Sequence, residues 1–196
     1  MIASPKALLF VALQNHIKAL VDGSNKPYFR FIDRDFGQLE NYAPGTGALP
    51  PVTFPCVLIT IDDVMYQNLQ APAQQGTGTI KLRIGFPPYS GTANITPPEY
   101  RDKALYYYEL EQLLFTHLHN WAPSTVTIRP AEGEDPAVTA DLSDTYGPLT
   151  RTRDYTEERT DFVIVQCQHY SITIDDYTAL QSPILVPAPP VNITFE

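Results

Sequence analysis

Few residues in this chain have the types and spacing that chemistry needs. His117 and His119 form the nearest thing to a metal pair, but they stand two apart in a helical stretch. Residues share a helix face at separations of three or four, so these two point to different sides. They read as histidines near a helix C-terminus that complement its dipole. Asp62–Asp63 and Asp175–Asp176 each follow a strand-like run. Two such pairs, if they converged, would hold a divalent cation or do acid–base work; their common use is to end strands and hold turns. Cys167 and His169 alternate along a strand and so share a face, as a nucleophile and base must, although such dyads usually draw on separate elements. The GTG triplets at Gly45–Gly47 and Gly76–Gly78 are too short for a nucleotide fingerprint and read as turns. The sequence contains no phosphate loop GxxxxGK[ST], GxSxG elbow, HExxH, CxxC or calcium loop. The expectation is a non-enzymatic chain with no catalytic, metal or cofactor residues, whose work is to bind other protein subunits.

Composition narrows the class further. The 196 residues suit one domain with appendages, and 43 % hydrophobic content with 11 % aromatic residues supplies a sizeable core. Nineteen prolines are excluded from helix interiors and central strands, so much of the chain is irregular or extended. The net charge of −9 and the spread of thirteen basic residues oppose sequence-specific nucleic-acid binding, which needs phosphate neutralisation. Arg151 and Arg153 remain a local basic spot that could face an acidic partner. Cys56 and Cys167 sit in apolar strand-like runs and read as buried small hydrophobes of a reducing compartment. The N-terminal apolar stretch is broken by Gln14, Asn15, His16 and Lys18, so no signal peptide or membrane span is expected.

The elements that must carry these residues follow from periodicity. Residues 4–22 predict a helix capped by Ser4, opened by Pro5 and stopped by Gly23, with Leu9, Leu13, Ile17 and Leu20 on its apolar face. Phe29, Phe31 and Ile32 form a candidate short strand, and Cys56–Ile61 a buried one. Thr79–Phe86 alternates, with Ile80, Leu82, Ile84 and Phe86 inward and Lys81, Arg83 and Gly85 outward. The segment between these two strands reads as an extended hairpin tip or a long loop over about 66–79. Residues 97–120 predict the strongest helix, capped by Thr96, with Leu110, Leu113, Leu114, Leu118 and Trp121 as its stripe. Tyr106, Tyr107 and Tyr108 cannot share one face, so at least one meets solvent or a neighbour. A short strand follows at Val126–Arg129, then a polar irregular region over 130–160 that reads as another long loop or a weak hairpin. The longest strand is Phe162–Ile174, with a bulge near His169 where its alternation changes phase. The whole predicts an α+β fold: a small antiparallel or mixed sheet with two main helices on one face. Residues 1–177 form its single domain, with long loops at about 41–55, 66–79 and 130–160. Residues 178–196 form an extended proline-rich arm whose Ile184, Leu185 and Val186 suit contact with another surface.

The order of a helix (SPKALLFVALQNHIKALVDG), a proline-introduced strand (FPCVLITI), a return along TIKLRIGF, a helix with RDKALYYYELEQLLFTHLHNW and further strands resembles the tail-terminator and tail-completion proteins of long-tailed bacteriophages. The resemblance spans about residues 4–174 as architecture. It implies a subunit of a homo-oligomeric ring, usually of six, within the virion tail or neck and made in the bacterial host cytoplasm. Such a ring caps the tail tube, stops its polymerisation and meets the head connector or neck proteins. The implied inter-subunit or tube-facing element is the hairpin around 62–79, with Asp62, Asp63, Tyr66, Gln74 and Gln75. The acidic balance suits a lumen through which DNA slides without being held. The 130–160 region and the arm depart from a compact terminator. Other readings are another neck or tail-completion component, a non-viral ligand- or peptide-binding module, and a hydrolase built on the Asp pairs or on Cys167 and His169.

Overall fold

A computed structural model describes residues 4–40, 52–70, 73–87, 92–128, 138–159 and 163–176. In chain order the elements are α1 (Pro5–Lys18), β1 (Phe31–Arg34), β2 (Cys56–Gln70), β3 (Ala73–Phe86), α2 (Pro98–Leu118), β4 (Thr125–Ile128), β5 (Val138–Asp141), β6 (Thr150–Thr156) and β7 (Ile164–Asp176). Five strands form a mixed sheet in the order β1-β2-β3-β7-β6, and β4 pairs with β5 in a small separate sheet. The fold is α+β, as expected from the sequence.

The β2–β3 hairpin is the spine of the sheet. Its antiparallel register runs from Cys56↔Gly85 to Gln70↔Ala73, and β7 pairs with β3 all the way from Phe86↔Ile164 to Gln74↔Asp176. At about 3.3 Å per residue each hairpin arm is roughly 45–50 Å long. Residues 66–70 and 73–79 are therefore strand rather than loop, and the GTG of Gly76–Gly78 lies inside β3 rather than at a turn. Packing gives the reason. A Cβ at Gly76 would stand 2.5 Å from Val64 Cγ1 and 2.8 Å from the Tyr66 ring; one at Gly78 would stand 3.0 Å from Val64 Cγ2. The glycines clear room for side chains crossing from β2.

Strand alternation sorts the sheet into two faces. One face carries Val57, Ile59, Ile80, Leu82, Ile84, Phe86, Tyr170, Ile172 and Ile174, and both helices lie against it. Helix α1 contributes Leu9, Leu13 and Ile17, and α2 contributes Leu110, Leu114 and Leu118, all buried. His16 stacks on Trp121 at 4.2 Å between ring centres, and its Nε2 lies 3.0 Å from the His117 carbonyl, which ties α1 to the end of α2. The helix ends differ from expectation. Helix α1 stops at Lys18, with Ala19 as its cap, and Gly23 falls in a separate turn where Asp22 accepts hydrogen bonds from Ser24 N and Lys26 N. Pro97, not Thr96, caps α2, and neither helix start uses a side-chain cap. Of the three tyrosines, Tyr106 and Tyr108 are exposed while Tyr107 packs against Phe86.

Among the described residues the opposite face is covered only at one end. There Leu39, Val52, Cys56, Leu58, Val163, Val165 and Cys167 form a second cluster with Phe31, Phe54 and Tyr155. This two-sided cover explains the phase change in β7. Val165, Gln166, Cys167 and Gln168 are all buried, and alternation resumes at His169. Pairing of β7 with β3 is unbroken at His169; the irregularity lies in β6, between Arg151 and Arg153. The polar 130–160 region contains both β5 and β6, which its Thr and Asp content concealed.

Candidate interaction surface

The far half of the hairpin stands beyond the second cluster, and half of the residues expected to make contacts lie on it. Asp62 and Asp63 form a bulge inside β2, where the register shifts between Ile61 and Val64, rather than a strand end. The extra residue of a bulge leaves the ladder and turns outward. Asp62 forms an ion pair with Lys81, which holds its carboxyl below the usual range. Asp63 is exposed. Met65 is 76 % exposed and Tyr66 39 %, which is unusual for large apolar groups in the middle of a strand. Burial, then the Asp176 charge, raises the Tyr66 phenol. Gln74 donates to Asn68 Oδ1 at 3.0 Å and Gln75 to Asp175 Oδ1 at 2.8 Å, so both glutamines brace the hairpin.

The two acidic pairs do not meet. Asp175 lies opposite Gln75, whereas the Asp62–Asp63 bulge lies level with Thr79, four residues or about 13 Å along β3. Cys167 and His169 do share a face, but Cys167 donates to Glu157 Oε1 at 3.1 Å and His169 lies edge-on to Tyr155. Burial and the Glu157 carboxylate push the Cys167 thiol up to about 12, and burial raises Cys56 to about 12 as well. Burial and the charges of Lys81 and Arg153 lower His169. The two cysteines are free members of the same cluster. His119 Nδ1 accepts from Arg151 N at 3.3 Å while His117 engages α1 through its carbonyl, so the two histidines serve different neighbours.

Arg151 is satisfied within the chain. Its guanidinium lies 3.6 Å from the Phe115 ring centre and 3.0 Å from Asp154 Oδ2. Arg153 is exposed and stacks on Tyr155 at 4.5 Å. Among the described residues no carboxylate lies within ion-pair distance of Arg153. Ile184, Leu185 and Val186 lie outside the described residues.

Sequence reading missed a charged hub. Arg83, expected on a solvent-facing side, keeps only 16 % of its side-chain exposure. It donates to Asp35 at 3.1 Å and to both Glu157 oxygens at 2.7 and 2.8 Å, and it also pairs with Glu40. Arg159 completes the hub by donating to the Leu39 carbonyl at 2.7 Å and lying 3.6 Å from Glu157. The hub clamps residues 35–40 and 157–159 over the sheet. A pattern within β3 could not reveal it, because every partner comes from elsewhere in the chain.

A groove of about 440 Å³ runs between Phe10 and Val11 of α1 and Ile59 and Ile61 of β2, with Arg34 beside it. It follows the side of β2 where β1 ends.

No protein-family model matches this chain, and no curated protein matches it in sequence. Among solved structures, the chain is similar to one from the virion of a native gene transfer agent particle. That match has a TM-score of 0.45 and 7 % identity, covering 89 % of this chain and 100 % of that one.

Proposed function

We propose that this chain is a virion structural protein that works as a subunit of a ring, the tail terminator that caps a tail tube and meets the neck. The observation that carries the reading is the hairpin. Its far half leaves Met65 and Tyr66 open to solvent, beyond the Val57 and Ile59 that the helices bury on the same strand. Large exposed apolar groups on a long strand are an association hazard in a protein that remains alone, and a contact surface in one that assembles. The uncovered part of the sheet supports the same reading. Thr77↔Thr173 and Thr79↔Ser171 pair across β3 and β7 on the face away from the helices. This hydroxyl patch lies between Asp175 at one end and the Lys81–Asp62 pair at the other, and on an acidic protein it gives DNA phosphates nothing to hold.

The test is tube growth. Purified tail-tube protein is polymerised with and without this chain, and tube lengths and ends are measured by negative-stain microscopy. Short tubes bearing an end ring on this chain are the expected result. Unchanged tube lengths together with a monomer that gains thermal stability from a small apolar ligand would replace the reading with a ligand-binding module.

A further inference from the structure

We infer that neighbouring copies of this chain join sheet edge to sheet edge, with β6 of one copy running antiparallel to the far half of β2 in the next. This deepens the ring reading and rests on it.

Among the described residues both edges are open over the stretches that would pair, β2 beyond Ile59 and β6 beyond Arg151, whose N–H donates to His119 Nδ1. Strand β1 covers β2 only from Cys56 to Ile59, and the hydrogen bond from Asp35 N to the Ile59 carbonyl, 3.1 Å, is the last on that side. From Thr60 onward β2 has a strand neighbour only in β3. At the opposite edge β6 is the terminal strand, and all its residues are exposed or half-exposed. Unpaired strand edges seek strands.

Strand direction matches as well. Each step from β2 through β3 and β7 to β6 is antiparallel, so β6 runs opposite to β2. A second copy related by rotation about an axis along the strands therefore presents its β2 antiparallel to the first copy's β6. Such a head-to-tail contact generates a ring when the rotation closes.

The end of β1 sets the register. Within one copy Thr156 stands level with Val57, through Gln166 and Ile84. In the neighbour that level is occupied by β1, and Asp35 N takes the Ile59 carbonyl, so the next outward-facing backbone on β2 is that of Ile61; Thr156, outward because Glu157 N turns to the Val165 carbonyl, pairs there. Tyr155 then lies beside the Asp62–Asp63 bulge, and Arg153, stacked on Tyr155, stands on the diagonal from Asp63. These two exposed charges, each without an opposite charge in ion-pair range among the described residues, then meet. The shift of four residues, about 13 Å per copy, has the character of the stagger a closed sheet requires. The acidic bulge also makes the edge selective. A charged bulge wards off an ordinary strand, whereas a strand carrying arginine satisfies it. Two-fold pairing of β6 with β6 would set arginines against each other and is disfavoured.

The experiment uses full-length protein and light scattering over a concentration series, with circular dichroism as a fold control. Wild-type protein is expected to form a closed oligomer. Asp63→Arg and Arg153→Asp are each expected to be folded and to scatter as monomers, and the double variant to regain the oligomer. Mixing the two single variants also restores assembly, because each supplies the edge the other needs, and the mass of the restored species separates a ring from a two-fold dimer. Wild-type rings that survive both reversals overturn edge pairing and leave the ring reading intact. A wild-type chain that stays monomeric overturns edge pairing too, and if it also leaves tube growth unchanged the ring reading falls with it.

Discussion

Replacing Arg83 by Met keeps the unbranched apolar stem of the side chain and removes the charge at the centre of the hub. Asp35 and Glu157 keep 13 % and 22 % of their side-chain exposure; without Arg83, Glu157 would face Arg159 alone and Asp35 would lose its ion-pair partner. Removing one partner from a buried charge network costs about 3–5 kcal/mol, because the remaining charges are left uncompensated. For a chain of this size that is a fall in Tm of roughly 6–20 °C. The pH dependence carries a second signature. The hydrogen bond from Arg83 lowers the Glu40 carboxyl; burial raises Glu157, but the hydrogen bonds from Arg83 and Cys167 outweigh it and leave that group lowered too. A carboxyl depressed in the folded state contributes stability above its unfolded pKa and loses it as pH falls through the folded one. Wild-type protein therefore loses this contribution in acid, whereas Arg83→Met never had it, and the gap between them narrows from pH 7 towards pH 4. Urea unfolding at a series of pH values measures both effects. A loss under about 1 kcal/mol, or a gap that does not change with pH, would refute the view that the hub holds residues 35–40 and 157–159 down.

Leu114 is fully buried whereas Leu113 only packs against the edge of the core, so Leu114→Ala should cost about 2–5 kcal/mol and Leu113→Ala clearly less in chemical denaturation. Gly76→Val drives a branched side chain into Val64 and Tyr66, and hydrogen exchange should then show faster opening of residues 62–78 while the helices stay protected. Burial, then the neighbouring Asp154, raises the Glu111 carboxyl to about 7. A folded group holding its proton more tightly than the unfolded chain makes stability fall as pH rises from about 4.5 to 7. Glu111→Gln should therefore flatten the melting profile over that range and melt higher than wild type at pH 8.

How much was legible can be judged element by element. Leu9, Leu13 and Ile17, and likewise Leu110, Leu114 and Leu118, declared two buried helix faces through spacing alone. Ile80, Leu82, Ile84 and Phe86 declared an inward strand face in the same way. The class of fold followed from these, because amphipathic periodicity is a local property that the backbone geometry converts directly into a face. The Asp62–Asp63 region and Arg153 were legible as candidate contacts, but their positions on opposite edges of one sheet were not.

Tertiary structure decided what periodicity could not. Glycine in β3 looks like a turn until Tyr66 and Val64 are seen to cross over it from β2. The changed alternation at His169 looks like a bulge until both sides of the preceding residues prove to be covered. Arg83 looks like a solvated side chain until residues 35–40 and 157–159 close on it. In each case the deciding partner is remote in sequence. A pattern within one strand records only which side of it is apolar, whereas cover, charge partners and free edges depend on which distant segments the fold brings alongside.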